Sequence, residues 1–142
     1  MSDTNNLVLP KTASFAEIVD YFQGDRFATE AAGCKIVEAS YGRAVCEMEI
    51  TPKHFNANGQ VMGGALFTLA DYALAIVCNV GEAPTVGISN TIEFYNTAKG
   101  KKLIAECVTD KSGRTIGFYT VMITDELGTQ VAKLISSCFR RS

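Results

Sequence analysis

One carboxylate stands inside the most apolar segment of the chain and is the first candidate for chemistry. Asp71 follows Ala70 in a stretch that runs from residue 61 to residue 80. An unpaired buried carboxylate is costly unless it is hydrogen-bonded or its pKa rises. Two interpretations are therefore open for Asp71: a reactive group with a perturbed pKa, or a structural aspartate bonded to Thr68 or to a nearby backbone amide.

A loop rich in amides and glycines leads directly into that segment. Residues 54–64 read His-Phe-Asn-Ala-Asn-Gly-Gln-Val-Met-Gly-Gly. The free backbone N–H groups of a helix that begins at Gly63-Gly64 would carry partial positive charge, which suits an anion or a developing oxyanion. Glycine lets a ligand approach the backbone without meeting a Cβ, although a Gly-Gly pair also serves tight packing or a turn.

The remaining reactive side chains do not form a second candidate catalytic or metal-binding site. His54 is the only histidine, and the five cysteines are scattered without a Cys-x-x-Cys pair, so we predict no metal site. A Ser–His–Asp arrangement would have to be built from His54 and Ser89, and a cysteine nucleophile would lack a base for the same reason. An odd number of cysteines without a secretory signal favours reduced thiols and a cytoplasmic location.

Composition excludes several classes of protein. The chain has 142 residues, a net charge of -2 and 20% charged residues, which predicts one soluble globular domain over residues 1–142. No long basic run suggests nucleic-acid binding. The apolar stretch is interrupted by Gly63, Asp71 and Asn79 and is too short to span a membrane.

The periodicity of apolar residues predicts the elements that position these groups. Ser14 and Glu17 form a capping-box pattern that predicts an N-terminal helix over residues 14–24, before a core over residues 27–139. Alternating apolar residues predict two strands, at 34–39 and 43–50, before a long helix from 63–64 to 79–81. Four more strands are expected at 86–94, 102–111, 114–124 and 129–139. The predicted fold is α+β, an antiparallel sheet wrapped around the long helix.

The loop and helix together resemble the hotdog-fold acyl-CoA thioesterases of the phenylacetic-acid-degradation type. The family pattern is Asn-x-x-Gly-x-x-His-Gly-Gly followed by Leu-x-Asp within a helix, and this chain has Asn56, Gly59, Met62-Gly63-Gly64 and Leu69-Ala70-Asp71. The resemblance extends from about residue 27 to residue 138. It implies hydrolysis of an aryl or of a medium- or long-chain acyl-CoA, with no cofactor beyond the coenzyme A of the substrate.

The resemblance also implies roles for individual residues. Asp71 would be the nucleophile or the base that activates water, and the Gly63 amide would polarise the thioester carbonyl. Asn56 would hold water or the carbonyl, and Ser89 would assist Asp71 or orient water. Met62 and Gly64 are expected to contact the substrate.

One departure from the family pattern keeps two other functions open. Met62 stands where the family has histidine. A dehydratase or hydratase acting on acyl thioesters would need a catalytic histidine, for which only His54 remains. A non-catalytic acyl-CoA binding protein is the other alternative, against which the presence of Asp71 argues.

Helix geometry predicts that the site is shared between two subunits. Asp71 lies eight positions beyond Gly63, which places them ~12 Å apart along one helix, whereas both groups must lie about 3 Å from the same reacting group. A two-fold partner would bring its own Gly63 beside this Asp71. We therefore expect a homodimer with shared active sites, and the family resemblance implies a tetramer.

Overall fold

The sheet and the long helix are both present in the computed structural model, which describes residues 6–141. Two α-helices lie at Phe15–Phe22 (α1) and Gly63–Asn79 (α2). Six strands lie at Cys34–Ser40 (β1), Arg43–Glu49 (β2), Thr85–Phe94 (β3), Lys102–Ser112 (β4), Ile116–Asp125 (β5) and Gln130–Arg140 (β6). All of their pairings are antiparallel, in the order β1-β2-β4-β5-β6-β3. The predicted α+β architecture is thus confirmed.

The start of α1 follows from its capping box. The Ser14 hydroxyl accepts a hydrogen bond from the Glu17 backbone N–H at 3.1 Å, and the Glu17 carboxylate accepts one from the Ser14 N–H at 3.1 Å. Two donors that would otherwise be unpaired at the helix start are thereby satisfied. Ile18 and Phe22 on this helix are buried in the core.

Two short helical segments were not predicted from the sequence. A π-helical segment occupies Phe27–Ala32 and ends at Gly33, whose φ of 79° favours glycine. A single 3-10 turn spans Pro52–His54. Both lie beside the loop that leads into α2.

The sheet covers only part of α2. Leu69, Ile76 and other apolar residues of the helix are fully buried against β2, β4 and β5, and each such side chain contributes about 1.5–3 kcal/mol when it leaves water. A stripe that contains Gly64 and Asp71 is exposed. One side of α2 is therefore uncovered within a single chain. Among residues 6–141, no helix is long and apolar enough to cross a membrane.

Strand β3 forms one edge of the sheet. In the described part of the chain it pairs only with β6, and a bulge between Gly87 and Ser89 interrupts the register. Most of its residues are exposed, including Val86 and Ile88. An exposed edge strand with apolar side chains offers unpaired N–H and C=O groups to another strand.

Candidate active site

Asp71 lies on the open side of α2 and not in the core. The prediction that this carboxylate is buried is wrong, because the stripe of the helix that carries it turns away from the sheet and is exposed. No group among residues 6–141 hydrogen-bonds the carboxylate, and the Thr68 hydroxyl donates instead to the Gly64 carbonyl at 2.8 Å. The structural interpretation, with Thr68 as partner, is therefore not supported.

Neighbouring protein atoms raise the pKa of this carboxylate. Partial desolvation raises the pKa of Asp71, and the negative charge of Asp25 raises it further. Desolvation also raises the pKa of Asp25. A carboxylate with a raised pKa is a stronger base in its ionised form, and it can take a proton from water more readily.

Asp71 lines a groove of about 510 Å³ between α2 and the π-helical segment. The groove walls carry the apolar side chains of Phe27, Ala28 and Phe67, with Tyr72 beside the carboxylate. Tyr72 is a buried core residue whose hydroxyl donates to the Phe22 carbonyl at 3.0 Å.

The loop before α2 is a tight turn built around Asn56. Its side-chain oxygen accepts from the backbone N–H groups of Asn58 at 2.9 Å and Gln60 at 3.1 Å. Gly59 has a φ of 79°, in the left-handed region that this turn requires. Because its oxygen is occupied by the loop, Asn56 has its side-chain NH₂ group left to donate to a ligand.

The start of α2 exposes backbone N–H groups. Met62 is the N-cap residue and has no side-chain oxygen to cap the helix. The N–H groups of Gly63 and Gly64 therefore begin the helix without a side-chain acceptor. A Cβ on Gly63 would lie 3.0 Å from the Phe94 ring, a close contact that the exposed ring would have to relieve by a small shift.

Gly63 and Asp71 line different cavities. Gly63 lies in a cavity of about 370 Å³ with Gln60, Phe94 and Tyr95, whereas the Asp71 groove contains none of these residues. Within one chain, the structure does not bring the Gly63 N–H and the Asp71 carboxylate into one cavity.

Ser89 lies on the face of the sheet that is turned away from the long helix of its own chain. It pairs with Ser137, and residues directly opposite on antiparallel strands project to the same face. Ser137 projects away from α2, since its neighbours Ser136 and Cys138 are the buried, helix-facing ones. The Ser89 hydroxyl therefore points away from Asp71 of its own chain.

Asn90 is the polar residue of β3 that the sequence analysis missed. It pairs with the buried Ser136 and so faces the helix side of the sheet. A Cβ on Gly87 would lie 3.4 Å from the Asn90 side-chain nitrogen. The alternation was visible in the sequence, but the bulge after Gly87 determines which residues face inward.

His54 is a structural residue. It is 4% exposed. Its Nδ1 accepts from the Thr51 backbone N–H at 3.0 Å, which leaves the proton on Nε2 to be donated to the Ala32 carbonyl at 2.7 Å. Because both ring nitrogens are bonded, His54 is not available as the base of a dehydratase or of a Ser–His–Asp triad.

His54 also connects the site to the rest of the fold. Its carbonyl accepts from the Met62 backbone N–H at 2.9 Å, and its ring holds the end of the π-helical segment through Ala32. One residue thereby fixes both the loop before α2 and one wall of the Asp71 groove.

Cysteine and metal chemistry find little support around this site. All five cysteines are buried. Burial raises the pKa of Cys34 to about 11, whereas a hydrogen bond with Cys78 lowers the pKa of Cys138 to about 7. Between residues 6 and 141, no three His, Cys, Asp or Glu side chains form a group that could hold a metal ion.

Comparison with known protein sequences gives consistent matches. The sequence model of the thioesterase superfamily matches residues 58–132. Human acyl-coenzyme A thioesterase 13 is 32% identical over 94 residues, which cover 64% of this chain and 67% of the human protein. Acyl-coenzyme A thioesterase PaaI of Escherichia coli K12 is 32% identical over 104 residues, which cover 72% of this chain and 74% of that enzyme.

Solved structures resemble the whole architecture. The E. coli PaaI protein, from the phenylacetic acid degradation operon, superposes with a TM-score of 0.80 at 25% identity, over 91% of this chain and 97% of that chain. A Streptococcus mutans protein solved with bound acetyl-CoA gives a TM-score of 0.71 at 25% identity, over 76% of this chain and 91% of that one.

Proposed function

This chain belongs to the thioesterase superfamily, as a hotdog-fold thioester hydrolase of the PaaI type, and we propose that it hydrolyses aryl or medium- to long-chain acyl-CoA. The products are the free acid and coenzyme A. The observation that carries the proposal is the exposed Asp71 carboxylate, free of hydrogen bonds from residues 6–141, in a groove that Phe27 and Phe67 also line. Related proteins support the substrate class, since one of them was solved with acetyl-CoA.

In the proposed reaction, Asp71 acts on the thioester carbon in one of two ways. As a base, it takes a proton from water while the water oxygen attacks the carbonyl carbon; the C–S bond then breaks and the thiolate leaves with the bonding electrons. As a nucleophile, its oxygen forms an acyl anhydride that water then hydrolyses. Both routes yield the same acid and thiol.

Two donors are proposed to stabilise the oxyanion. The Gly63 N–H lies at the positive end of α2, and the Asn56 side-chain NH₂ is free because the loop uses only its oxygen. Met62 replaces the family's histidine and leaves these donors in place. Ser89 faces away from α2 of its own chain, and its role in assisting Asp71 or orienting water stays a prediction.

We propose that each site combines Asp71 of one chain with Asn56 and Gly63 of another. The separate cavities for Asp71 and Gly63 support this arrangement. Exposed Val86 and Ile88 on the edge strand β3 favour edge-to-edge pairing of two subunits. The exposed Ile135 and Phe139 on the outer face of β6 are the candidate contacts for a tetramer of two such dimers.

Thiol release from a panel of acyl-CoA substrates tests the activity. We expect release from at least one aryl or fatty acyl-CoA without added metal, and we expect EDTA to leave the rate unchanged because we propose no metal or organic cofactor. Inactivity over the whole panel, together with tight binding of acyl-CoA, would instead favour the binding-protein alternative.

Mixed dimers test the shared site. Asp71→Ala and Asn56→Ala chains are each expected to be inactive, but a mixed dimer contains one site with both residues intact. Random mixing makes about half of the dimers mixed, so roughly a quarter of wild-type activity should return after co-expression or joint refolding. A single-chain site would give no recovery in verified mixed dimers.

A further inference from the structure

The last turn of α2 carries a cysteine that faces a cysteine of β6. Cys78 is 4% exposed and Cys138 is fully buried. Both are free thiols, and a hydrogen bond joins their sulfur atoms. Neither takes part in the proposed hydrolysis. Two sulfurs already in contact across two elements need only a small approach to form a disulfide, in which the Cβ atoms lie about 3.8 Å apart.

Polar contacts distinguish this pair from the other cysteines. The Ser136 hydroxyl lies 3.3 Å from the Cys138 sulfur. The Asn79 side-chain NH₂ donates to the Cys78 sulfur at 3.5 Å. The other three cysteines have no hydrogen bond to sulfur within residues 6–141, and burial raises the pKa of each. They are Cys34, Cys46 and Cys107.

The surroundings of Cys138 favour its thiolate form. The hydrogen bond with Cys78 lowers the pKa of Cys138 to about 7, against the effect of burial, and the Ser136 hydroxyl lowers it as well. The negative charge of Asp71 opposes this shift, and the positive charge of the buried Arg140 supports it. The thiolate is the nucleophilic form of cysteine. Cys138 is therefore the attacking sulfur, whereas the same hydrogen bond raises the pKa of Cys78 and keeps it protonated.

A cavity of about 270 Å³ lies beside the pair. Val77, Tyr119 and Arg140 are among the residues that line it. A Cβ on Gly117, the residue paired with Cys138, would collide with the Tyr119 hydroxyl. The Tyr119 side chain thus covers the backbone beside Cys138 and separates the two sulfurs from the cavity. A shift of this one side chain would admit an oxidant of a few atoms but not a peptide disulfide.

We propose that Cys78 and Cys138 form an oxidation site that a small hydroperoxide converts to a disulfide. The Cys138 thiolate attacks one peroxide oxygen, the O–O bond breaks, and hydroxide leaves and takes up a proton, which produces a sulfenic acid. The Cys78 sulfur then attacks the sulfenic sulfur and loses its proton, the S–S bond forms, and water leaves. Two thiols and one hydrogen peroxide become one disulfide and two waters.

The cross-link would lie beside the edge strand of the sheet. Cys138 pairs with Gly87, where the bulge of β3 begins. Next to Cys78, the Asn79 side-chain oxygen accepts from the Thr85 backbone N–H at 2.9 Å, at the start of β3. Oxidation would therefore fix the end of α2 to β6 at the point where both contact β3, and reduction would release it. The site does not depend on the proposed thioesterase function.

Peptide mapping after mild oxidation tests the proposal. The reduced full-length protein is treated with hydrogen peroxide at neutral pH, and the remaining thiols are alkylated after unfolding. The number of alkylated cysteines should fall from five to three, and dithiothreitol should restore it to five. Trypsin leaves Cys78 in residues 54–99 and Cys138 in residues 134–140, each without a second cysteine. The disulfide should therefore appear as one pair of linked peptides.

Glutathione disulfide tests the size of the oxidant. It is too large for the gap beside Tyr119, so it should leave all five thiols of the folded protein intact. Equal oxidation by hydrogen peroxide and by glutathione disulfide would show that the cysteines react through unfolding, and would overturn the proposed site.

Single substitutions separate the roles of the two sulfurs. Cys78→Ser should stop at the sulfenic acid, which dimedone labels within residues 134–140. Cys138→Ser should keep Cys78 as a thiol under the same treatment. Cys107→Ser is the matched control, because Cys107 is also fully buried in the core but has a raised pKa, and this variant should still form the link.

The wild-type peptide map decides the proposal even if a variant fails to fold. Five free thiols after treatment with hydrogen peroxide, or a link between any other two cysteines, would overturn it. Hydrolysis of acyl-CoA is measured in none of these experiments, so their outcome is separate from that of the proposed function.

Discussion

The turn at Pro52–His54 and the middle of α2 each contain one candidate catalytic side chain, and the two side chains have opposite environments. His54 comes from a polar loop but is buried, with both ring nitrogens hydrogen-bonded. Asp71 comes from an apolar segment but is exposed, and its carboxylate has no hydrogen bond from residues 6–141.

The difference shows which property marks a reactive group. The polarity of the neighbouring sequence suggests an exposed His54 and a buried Asp71, the reverse of what the structure shows. Hydrogen bonding distinguishes the two residues. A side chain whose donors and acceptors are all paired within the fold stabilises that fold, whereas an unpaired carboxylate in a groove remains available to a substrate. His54 therefore positions the site, and Asp71 is the candidate to react.

Replacing the unpaired carboxylate should have the largest effect on turnover. Asp71→Asn keeps the shape of the side chain but removes the base or nucleophile, so kcat should fall by about 10²-fold or more. Stopped-flow or steady-state thiol release measures this loss. Binding of the acyl-CoA should largely survive, because the groove walls are unchanged.

Thr68→Ala is the control on the same exposed stripe of the helix. It removes a hydroxyl that bonds only to the Gly64 carbonyl, and kcat should stay far closer to the wild type. If Asp71→Asn turns over normally, Asp71 is structural and the contrast with His54 fails.

Replacing the bonded histidine should affect stability more than chemistry. His54→Ala leaves the Thr51 N–H and the buried Ala32 carbonyl without their partners, at about 1–3 kcal/mol for each unsatisfied group. The free energy of unfolding should fall accordingly in a denaturant titration. His54→Asn should recover part of it, because its carboxamide oxygen can take the place of Nδ1 as acceptor.

Lys53→Ala tests the specificity of that loss. Lys53 is an exposed neighbour in the same turn, and its removal should change stability by no more than about 0.5 kcal/mol. A folded, stable His54→Ala protein with turnover as low as that of Asp71→Asn would mean that His54 takes part in the reaction.

Much of the fold could be read from the sequence, because its elements have clear periodicity. The alternation around Cys46 predicted β2, and the Ser14–Glu17 pair predicted the start of α1. The apolar run from Gly63 predicted α2 with its end within residues 79–81, and the helix ends at Asn79. These are local patterns, and local hydrogen bonds or one buried face suffice to realise them.

The parts of the site that depend on distant contacts could not be read in this way. The face on which Ser89 lies depends on a bulge in β3. The burial of His54 depends on a carbonyl 22 residues earlier in the chain. The π-helical segment at Phe27–Ala32 has no sequence pattern that distinguishes it from an ordinary helical turn.

The exposed edge of β3 has a consequence for how the enzyme behaves on dilution. If the site is divided between two chains as proposed, a lone subunit carries two half-sites and no complete one. Specific activity then follows the fraction of paired subunits, which mass action lowers as the protein becomes scarce. An acyl-CoA that binds across both chains stabilises the dimer, so a high substrate concentration would increase the fraction of paired, active subunits. The rate of hydrolysis would then rise more steeply than the protein concentration.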